Sequence, residues 1–146
     1  MKHVLTLFLL VLGACASSQA TNPAMTIRRV AEGQHSVLQR ERHDAIAVFS
    51  QQSYAEAWTR YVGTGEAPAV DFTKDFAVFL LAGQRPTGGY TIEPRSVSID
   101  RGELLVNAPV RVPDGITAQV ISYPWAVIAI PLPPDAARPG AVRWNP

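Results

Sequence analysis

A continuous apolar run over residues 76–82 constrains the fold more than any other feature of this sequence. The run reads Phe-Ala-Val-Phe-Leu-Leu-Ala, and such a stretch is typical of a central strand that is buried on both faces. Further short apolar or alternating stretches predict a strand that opens at residues 90–93 and continues at residues 97–100 after Pro94, and strands at residues 103–106, 116–121 and 126–130. Many prolines lie beyond residue 108, which confines the C-terminal strands to sheet edges or short pieces.

The strongest helix signal lies at residues 53–62. Ser53 and Glu56 have the spacing of a capping box, and Gly63 is expected to end the helix. An apolar stripe at helical spacing is formed by Tyr54, Ala57, Trp58, Tyr61 and Val62. We expect Trp58 to hold the helix against the sheet, because large aromatic side chains bury the most area. The chain therefore predicts an α+β fold, a mostly antiparallel, sandwich-like sheet domain with one amphipathic helix.

Residues 35–49 resemble a β-hairpin with a charged turn near residues 40–44. His35 and His43 fall in this piece, but no further ligands stand at metal-binding spacing, so we expect exposed turn histidines and no metal or cofactor. The tail from Pro131 is rich in proline and predicts an extended segment in which Trp144 folds back onto the domain.

The N-terminal segment predicts export. Residues 1–14 have a short basic start and an apolar stretch too short to span a bilayer, as in a secretory signal peptide. Leu12-Gly13-Ala14-Cys15 resembles a bacterial lipobox, which implies acylation of Cys15; ordinary cleavage at Ala14-Cys15-Ala16 is the alternative. We expect a lipidated tether over residues 15–34 and a single domain over residues 35–146. Ala16 favours the outer membrane over the inner one in a Gram-negative envelope.

Charge and motif content exclude several classes of function. The chain has 13 Lys and Arg against 12 Asp and Glu, and removal of Lys2 with the signal peptide brings the formal charge close to zero. Neither a basic footprint for nucleic acid nor a polybasic run for lipid is present. Neither a GxSxG nor an SxxK motif occurs. Asp71 and Asp75 fit loop-capping acids better than a catalytic pair, so we expect no enzymatic activity.

Two short segments are the best candidates for a binding surface. The first is Arg85-Pro86-Thr87-Gly88-Gly89-Tyr90, where Pro86 presets a turn and the two glycines permit positive φ. The second is Tyr123-Pro124-Trp125, directly before an apolar strand. A tight hairpin connection and aromatic capping of the core are the structural alternatives. We expect residues 85–90 and 122–125 to form one patch, with Arg85, Tyr90 and Trp125 as its anchors.

The stretch from Val70 to Ile92, with its Gly-x-Arg-Pro-Thr-Gly-Gly-Tyr run, and the later Ser-Tyr-Pro-Trp-Ala-Val-Ile segment resemble the C-terminal domain family of PrcB, a lipoprotein partner of a protease complex. The resemblance covers residues 35–131, with its motifs over residues 70–131. It implies a non-catalytic role in binding or stabilising a protease or another envelope protein.

A weaker likeness links Arg85-Pro86-Thr87-Gly88-Gly89-Tyr90 and Tyr123-Pro124-Trp125 to two loops of chagasin-type inhibitors of cysteine proteases. Arg85, Gly88 and Tyr123 depart from that pattern, and residues 112–115 are a poor substitute for the Gly-rich middle loop of those inhibitors. The likeness implies protease inhibition as an alternative function. A purely structural envelope component is the third possibility; it predicts that the two loops lie apart or that their aromatic side chains are buried.

Overall fold

A computed structural model describes residues 25–63, 65–133 and 138–146. The predicted signal peptide, residues 1–14, and the predicted lipid-attachment residue Cys15 lie outside the described residues. In the described part of the chain, no helix is long and apolar enough to cross a membrane.

The described residues form nine strands and one helix. In chain order these are β1 (Arg28–Gly33), β2 (Asp44–Val48), α1 (Gln51–Tyr61), β3 (Asp75–Leu81), β4 (Thr91–Ile92), β5 (Ser96–Asp100), β6 (Glu103–Asn107), β7 (Val110–Arg111), β8 (Trp125–Pro131) and β9 (Ala141–Asn145).

The central sheet has the strand order β1-β8-β3-β2, and all of its neighbouring strands are antiparallel. The two most apolar strands, β3 and β8, occupy the inner positions, so the predicted central strand is confirmed. Because successive side chains of a strand point to opposite faces, Phe76 and Val78 enter one hydrophobic core while Ala77 and Phe79 enter another. Burial on both faces explains why this run is apolar at every position.

The two cores lie on opposite faces of the central sheet. On one face, α1 packs against the sheet and forms what we name the helix-side core. On the other face, the three-stranded sheet β5-β6-β9 and the short pair β4-β7 contribute to what we name the sheet-side core. Strands β6 and β9 are parallel, whereas β5-β6 and β4-β7 are antiparallel. The predicted α+β class, with a mostly antiparallel sheet and one helix, is confirmed.

Helix α1 begins two residues earlier than predicted. Ser50, with extended backbone, is the N-cap, and its side chain accepts a hydrogen bond from the Ser53 amide. Ser53 therefore lies inside the first turn. The predicted apolar stripe is otherwise confirmed, since Tyr54, Ala57, Trp58 and Tyr61 are buried.

The predicted hairpin over residues 35–49 is wrong. Strand β2 pairs with the buried strand β3, and His35 forms an isolated parallel bridge with Tyr123. Both parts of this segment therefore pair with residues far along the chain and not with each other. Strand β1 pairs with β8 and lies within residues 15–34, so the predicted boundary between tether and domain at residue 34 is too far along the chain.

The predicted strand at residues 116–121 is also wrong. These residues form an irregular segment in which Ile116, Val120 and Ile121 are exposed, so their apolar side chains contribute to neither core. The C-terminal tail follows the prediction, because Trp144 on β9 is buried and its indole N–H donates to the Ala108 carbonyl at 2.8 Å.

Candidate functional site

Four chain segments meet at one end of the central sheet, which we name the loop end. The strand register places Leu81 of β3 beside Trp125 of β8, and Gly33 of β1 and Asp44 of β2 complete the same row. The segments after β1, before β2, after β3 and before β8 therefore leave or enter the sheet side by side. Both predicted binding segments lie at this end.

The structure joins residues 85–90 to residues 122–125, and their expected adjacency is confirmed. Arg85 and Ser122 exchange two backbone hydrogen bonds of 2.8 and 3.0 Å. The buried Ser122 hydroxyl also donates to the Thr87 carbonyl at 2.6 Å. Together these bonds tie the first loop to the residue that precedes Tyr123, so the two segments form one unit.

Trp125 is not a surface anchor, contrary to our expectation. Its side chain is only 8% exposed and packs edge-on against Trp58 of α1, with ring centroids 5.7 Å apart. A Cβ atom at Gly33 would stand 2.7 Å from the indole, so this glycine leaves room for the ring. Pro124 is fully buried as well. The strand register of β8 directs Trp125 to the helix-side core, where it contributes to packing.

Arg85 and Tyr90 face each other across the first loop. The guanidinium carbon of Arg85 lies 5.9 Å from the centroid of the Tyr90 ring, within reach of a cation–π interaction. Both side chains are half-buried. The Arg85 Nε is buried and has no hydrogen-bond partner among the described residues. One N–H donor of the guanidinium is therefore left unsatisfied inside the loop.

Gly89 has the positive φ that its place in the loop predicted, at +85°, whereas Gly88 does not. The segment of residues 112–121 covers this turn. A Cβ atom at Gly89 would stand 2.9 Å from the Pro113 Cβ, and the Gly88 amide donates to the Ala118 carbonyl at 3.0 Å. Residues 112–121 are therefore a third element of the loop end, which the sequence did not indicate.

Gln34 also contributes to the loop end, although the sequence gives no indication of this role. Its side-chain amide bridges the first loop, since Oε1 accepts from the Gly89 amide at 3.0 Å and Nε2 donates to the Tyr90 carbonyl at 2.8 Å. This side chain pairs with the loop backbone as a neighbouring strand would. No local pattern marks it, because its partners lie 55 and 56 residues further along the chain.

A cleft of about 250 Å³ lies beside this bridge. It is lined by Glu32, Gly33, Gln34, Tyr90, Thr91, Ile92, Pro124 and Trp125. The polar side chains of the lining are those of Glu32, Gln34, Tyr90 and Thr91.

The carboxylates that the sequence singled out lie away from this end. The Thr73 hydroxyl donates to Asp71 at 2.5 Å and the Thr73 amide does so at 3.0 Å. The side-chain hydrogen bond and then the backbone one hold the pKa of Asp71 below its usual value, as expected of an ionised loop cap. Asp75 pairs with Arg28 at 3.3 Å. Within the described ranges, no group of three or more His, Cys, Asp or Glu side chains could hold a metal ion, and His35 and His43 are exposed.

Comparison with known proteins matches part of this loop end to one family. No curated protein and no solved structure matches the chain. The family described as PrcB C-terminal matches residues 76–131, which run from β3 to the end of β8 and contain both loops and the covering segment. Strands β1, β2 and β9 and helix α1 lie outside the matched range. Residues 76–131 therefore belong to the PrcB C-terminal family.

Proposed function

We propose that this chain is a non-catalytic, lipid-anchored protein of the cell envelope that binds a protein partner, a subunit of a protease complex, through its loop end. The contact surface, which we name the loop patch, consists of Arg85, Pro86, Thr87, Gly88, Gly89, Tyr90 and Tyr123. The single observation that carries the proposal is the joining of the two loops into one unit by backbone hydrogen bonds. The match to the PrcB C-terminal family, which is consistent with association with a protease complex, supports the choice of partner.

Rigidity is what makes the loop patch suitable for binding. The pair of bonds between Arg85 and Ser122, the bond from Ser122 to Thr87 and the bridge from Gln34 all hold the loop in one conformation. A preorganised loop loses little conformational freedom on association, so more of the contact energy contributes to affinity. Arginine and tyrosine are also the side chains most often found at the energetic centres of protein interfaces.

The same geometry gives less support to the two alternative functions, protease inhibition and a purely structural role. Inhibition of the chagasin type would use Trp125 as a contact residue, and Trp125 packs against Trp58 instead. A purely structural component predicts separate loops, whereas Arg85 and Ser122 are directly bonded. Burial of Trp125 does agree with the structural alternative, but Arg85 and Tyr90 remain partly exposed.

The test is quantitative recovery of the partner. Full-length chain carrying the double substitution Arg85→Ala, Tyr90→Ala is expressed in its native envelope and purified by affinity, and co-purified proteins are compared with those of the unsubstituted chain. We expect the specific partner to fall at least about tenfold, as for loss of an interface centre worth about 2 kcal/mol. The matched control is Arg60→Ala, which removes an arginine stacked on Tyr61 of α1 at the same 5.9 Å distance. Equal recovery by all three proteins contradicts the proposal.

A further inference from the structure

Residues 112–121, which we name the aliphatic loop, expose an unusual amount of apolar surface. Ile116 is fully exposed, and Val112, Val120 and Ile121 are 63%, 57% and 50% exposed. These four account for most of the large hydrophobic side chains exposed in the described residues, and the other is Val37, in the segment after β1. Single exposed apolar residues are normal on a protein surface, but a group of four within residues 112–121 points to an interaction site.

The aliphatic loop is continuous with the loop patch. The hydrogen bond from Gly88 to Ala118 and the contact distance between Gly89 and Pro113 hold the two together. A partner that binds the loop patch would therefore also meet the aliphatic loop.

Paired charges lie next to the aliphatic loop and within it. Arg111 bonds to Asp114 at 3.0 Å and to Glu93 at 3.4 Å, and Arg95 lies 3.7 Å from Glu93. Hydrogen bonds to Asp114 and then to Glu93 raise the pKa of Arg111 above its usual value. Exposed apolar side chains beside charges that neutralise one another have the composition of one side of a protein interface.

Charge argues that a protein, and not a bilayer, covers the aliphatic loop. Loops that insert into membranes are flanked by free cations that attract anionic lipid, whereas the Asp114 carboxylate, 86% exposed, lies two residues before Ile116. Chain direction supports the same choice. Strand β1 starts beside Ala129 and ends beside Trp125, so the N-terminal tether joins the sheet at the end opposite the loop end.

We propose that the aliphatic loop is the hydrophobic anchor of the interface, with Ile116 entering an apolar pocket of the partner protein. The inference rests on the proposed function and adds to it the chemistry of the complementary surface. Because the aliphatic loop is bonded to the loop patch, the occupant is the protein partner that the loop patch binds.

The experiment has two stages. A photo-reactive amino acid replaces Ile116 in one full-length chain and Val37 in a matched control, both expressed in the native envelope, and cross-linked products are identified by mass spectrometry. The protein joined through position 116 is then purified and titrated with the full-length chain and with its Ile116→Ser and Val37→Ser variants. We expect Ile116→Ser to raise the dissociation constant at least about tenfold, since the complex loses a buried isoleucine side chain. Val37→Ser should change the dissociation constant less than about twofold.

Each other outcome overturns the inference. Cross-linking of position 116 to phospholipid assigns the aliphatic loop to the bilayer, and cross-linking to a second copy assigns it to self-association. If the Ile116→Ser variant binds as tightly as the original chain, Ile116 is not the anchor of the interface. If Arg85→Ala, Tyr90→Ala then still loses the partner, the proposed function stands without this inference; if neither variant loses it, the proposed function fails too. Ile116 is fully exposed, so its replacement leaves both cores intact.

Discussion

Gly83 and Gly102 share a left-handed backbone but differ in what surrounds them. Their φ angles are +77° and +81°, a region in which a side chain costs about 1–2 kcal/mol. A Cβ atom at Gly83 would also stand 2.7 Å from the Arg42 carbonyl carbon and 2.8 Å from the Glu41 oxygen, whereas one at Gly102 meets nothing within 4 Å. Gly83 is thus where the chain entering the loop patch passes directly against the segment that precedes β2.

The pair provides a matched test of this close approach. We expect Gly102→Ala to lower the free energy of unfolding by about 1–2 kcal/mol, from the backbone alone. Gly83→Ala should cost about 1–3 kcal/mol more, because two segments of backbone must move apart. Urea unfolding followed by circular dichroism measures both values. Equal costs would mean that the segment near Arg42 moves away freely and does not hold the loop patch in place.

At the scale of single elements, local sequence patterns predict whether a segment is a helix better than they predict the residue at which it begins. The apolar stripe of α1 is a periodic signal over several turns and was predicted correctly. The start of the helix depends on one hydrogen bond, and Ser50 and Ser53 are chemically equivalent candidates for the N-cap. The sequence favoured Ser53 because Glu56 follows it at capping-box spacing, but Glu56 instead accepts a hydrogen bond from Gln52 at 3.0 Å on the helix surface.

The N-cap assignment can be checked by substitution. We expect Ser50→Ala to lower the free energy of unfolding by about 1 kcal/mol, since the Ser53 amide loses its acceptor. Glu56→Ala should cost at most about 0.5 kcal/mol, the value of an exposed side-chain pair one turn apart. Thermal and urea unfolding of the two variants gives the comparison. A larger loss of unfolding free energy for Glu56→Ala than for Ser50→Ala would indicate that Ser53 is the N-cap.

At the scale of the whole molecule, the sequence predicted which segments are buried but not how they pair. The runs that become β3 and β8 are recognisable because burial on both faces leaves every position apolar. Nothing local shows that β1 pairs with β8, that β9 runs parallel to β6, or that Gln34 reaches the loop patch, because each of these contacts joins distant parts of the chain. The aliphatic loop was assigned to a strand for a related reason, since apolar composition alone does not distinguish a buried strand from an exposed binding loop.

The layered arrangement itself makes a prediction about coupling between tryptophans. Trp58 and Trp125 touch within the helix-side core, whereas Trp144 lies in the sheet-side core across the central sheet. Residues in contact share an interaction energy, and residues separated by an intervening layer contribute additively. The structure therefore distinguishes two double-mutant cycles that the sequence would treat alike.

We expect Trp58→Phe and Trp125→Phe to show a coupling energy of about 0.5–1.5 kcal/mol, the range for an aromatic pair in edge-on contact. For Trp58→Phe with Trp144→Phe, the two effects should add within about 0.5 kcal/mol. Urea unfolding monitored by far-ultraviolet circular dichroism suits all variants, since no tryptophan is needed as a probe. Strong coupling in the second cycle would mean that the central sheet transmits repacking from one core to the other. In that case the loop patch, which leaves the sheet through Leu81 and Trp125, would respond to changes in either core.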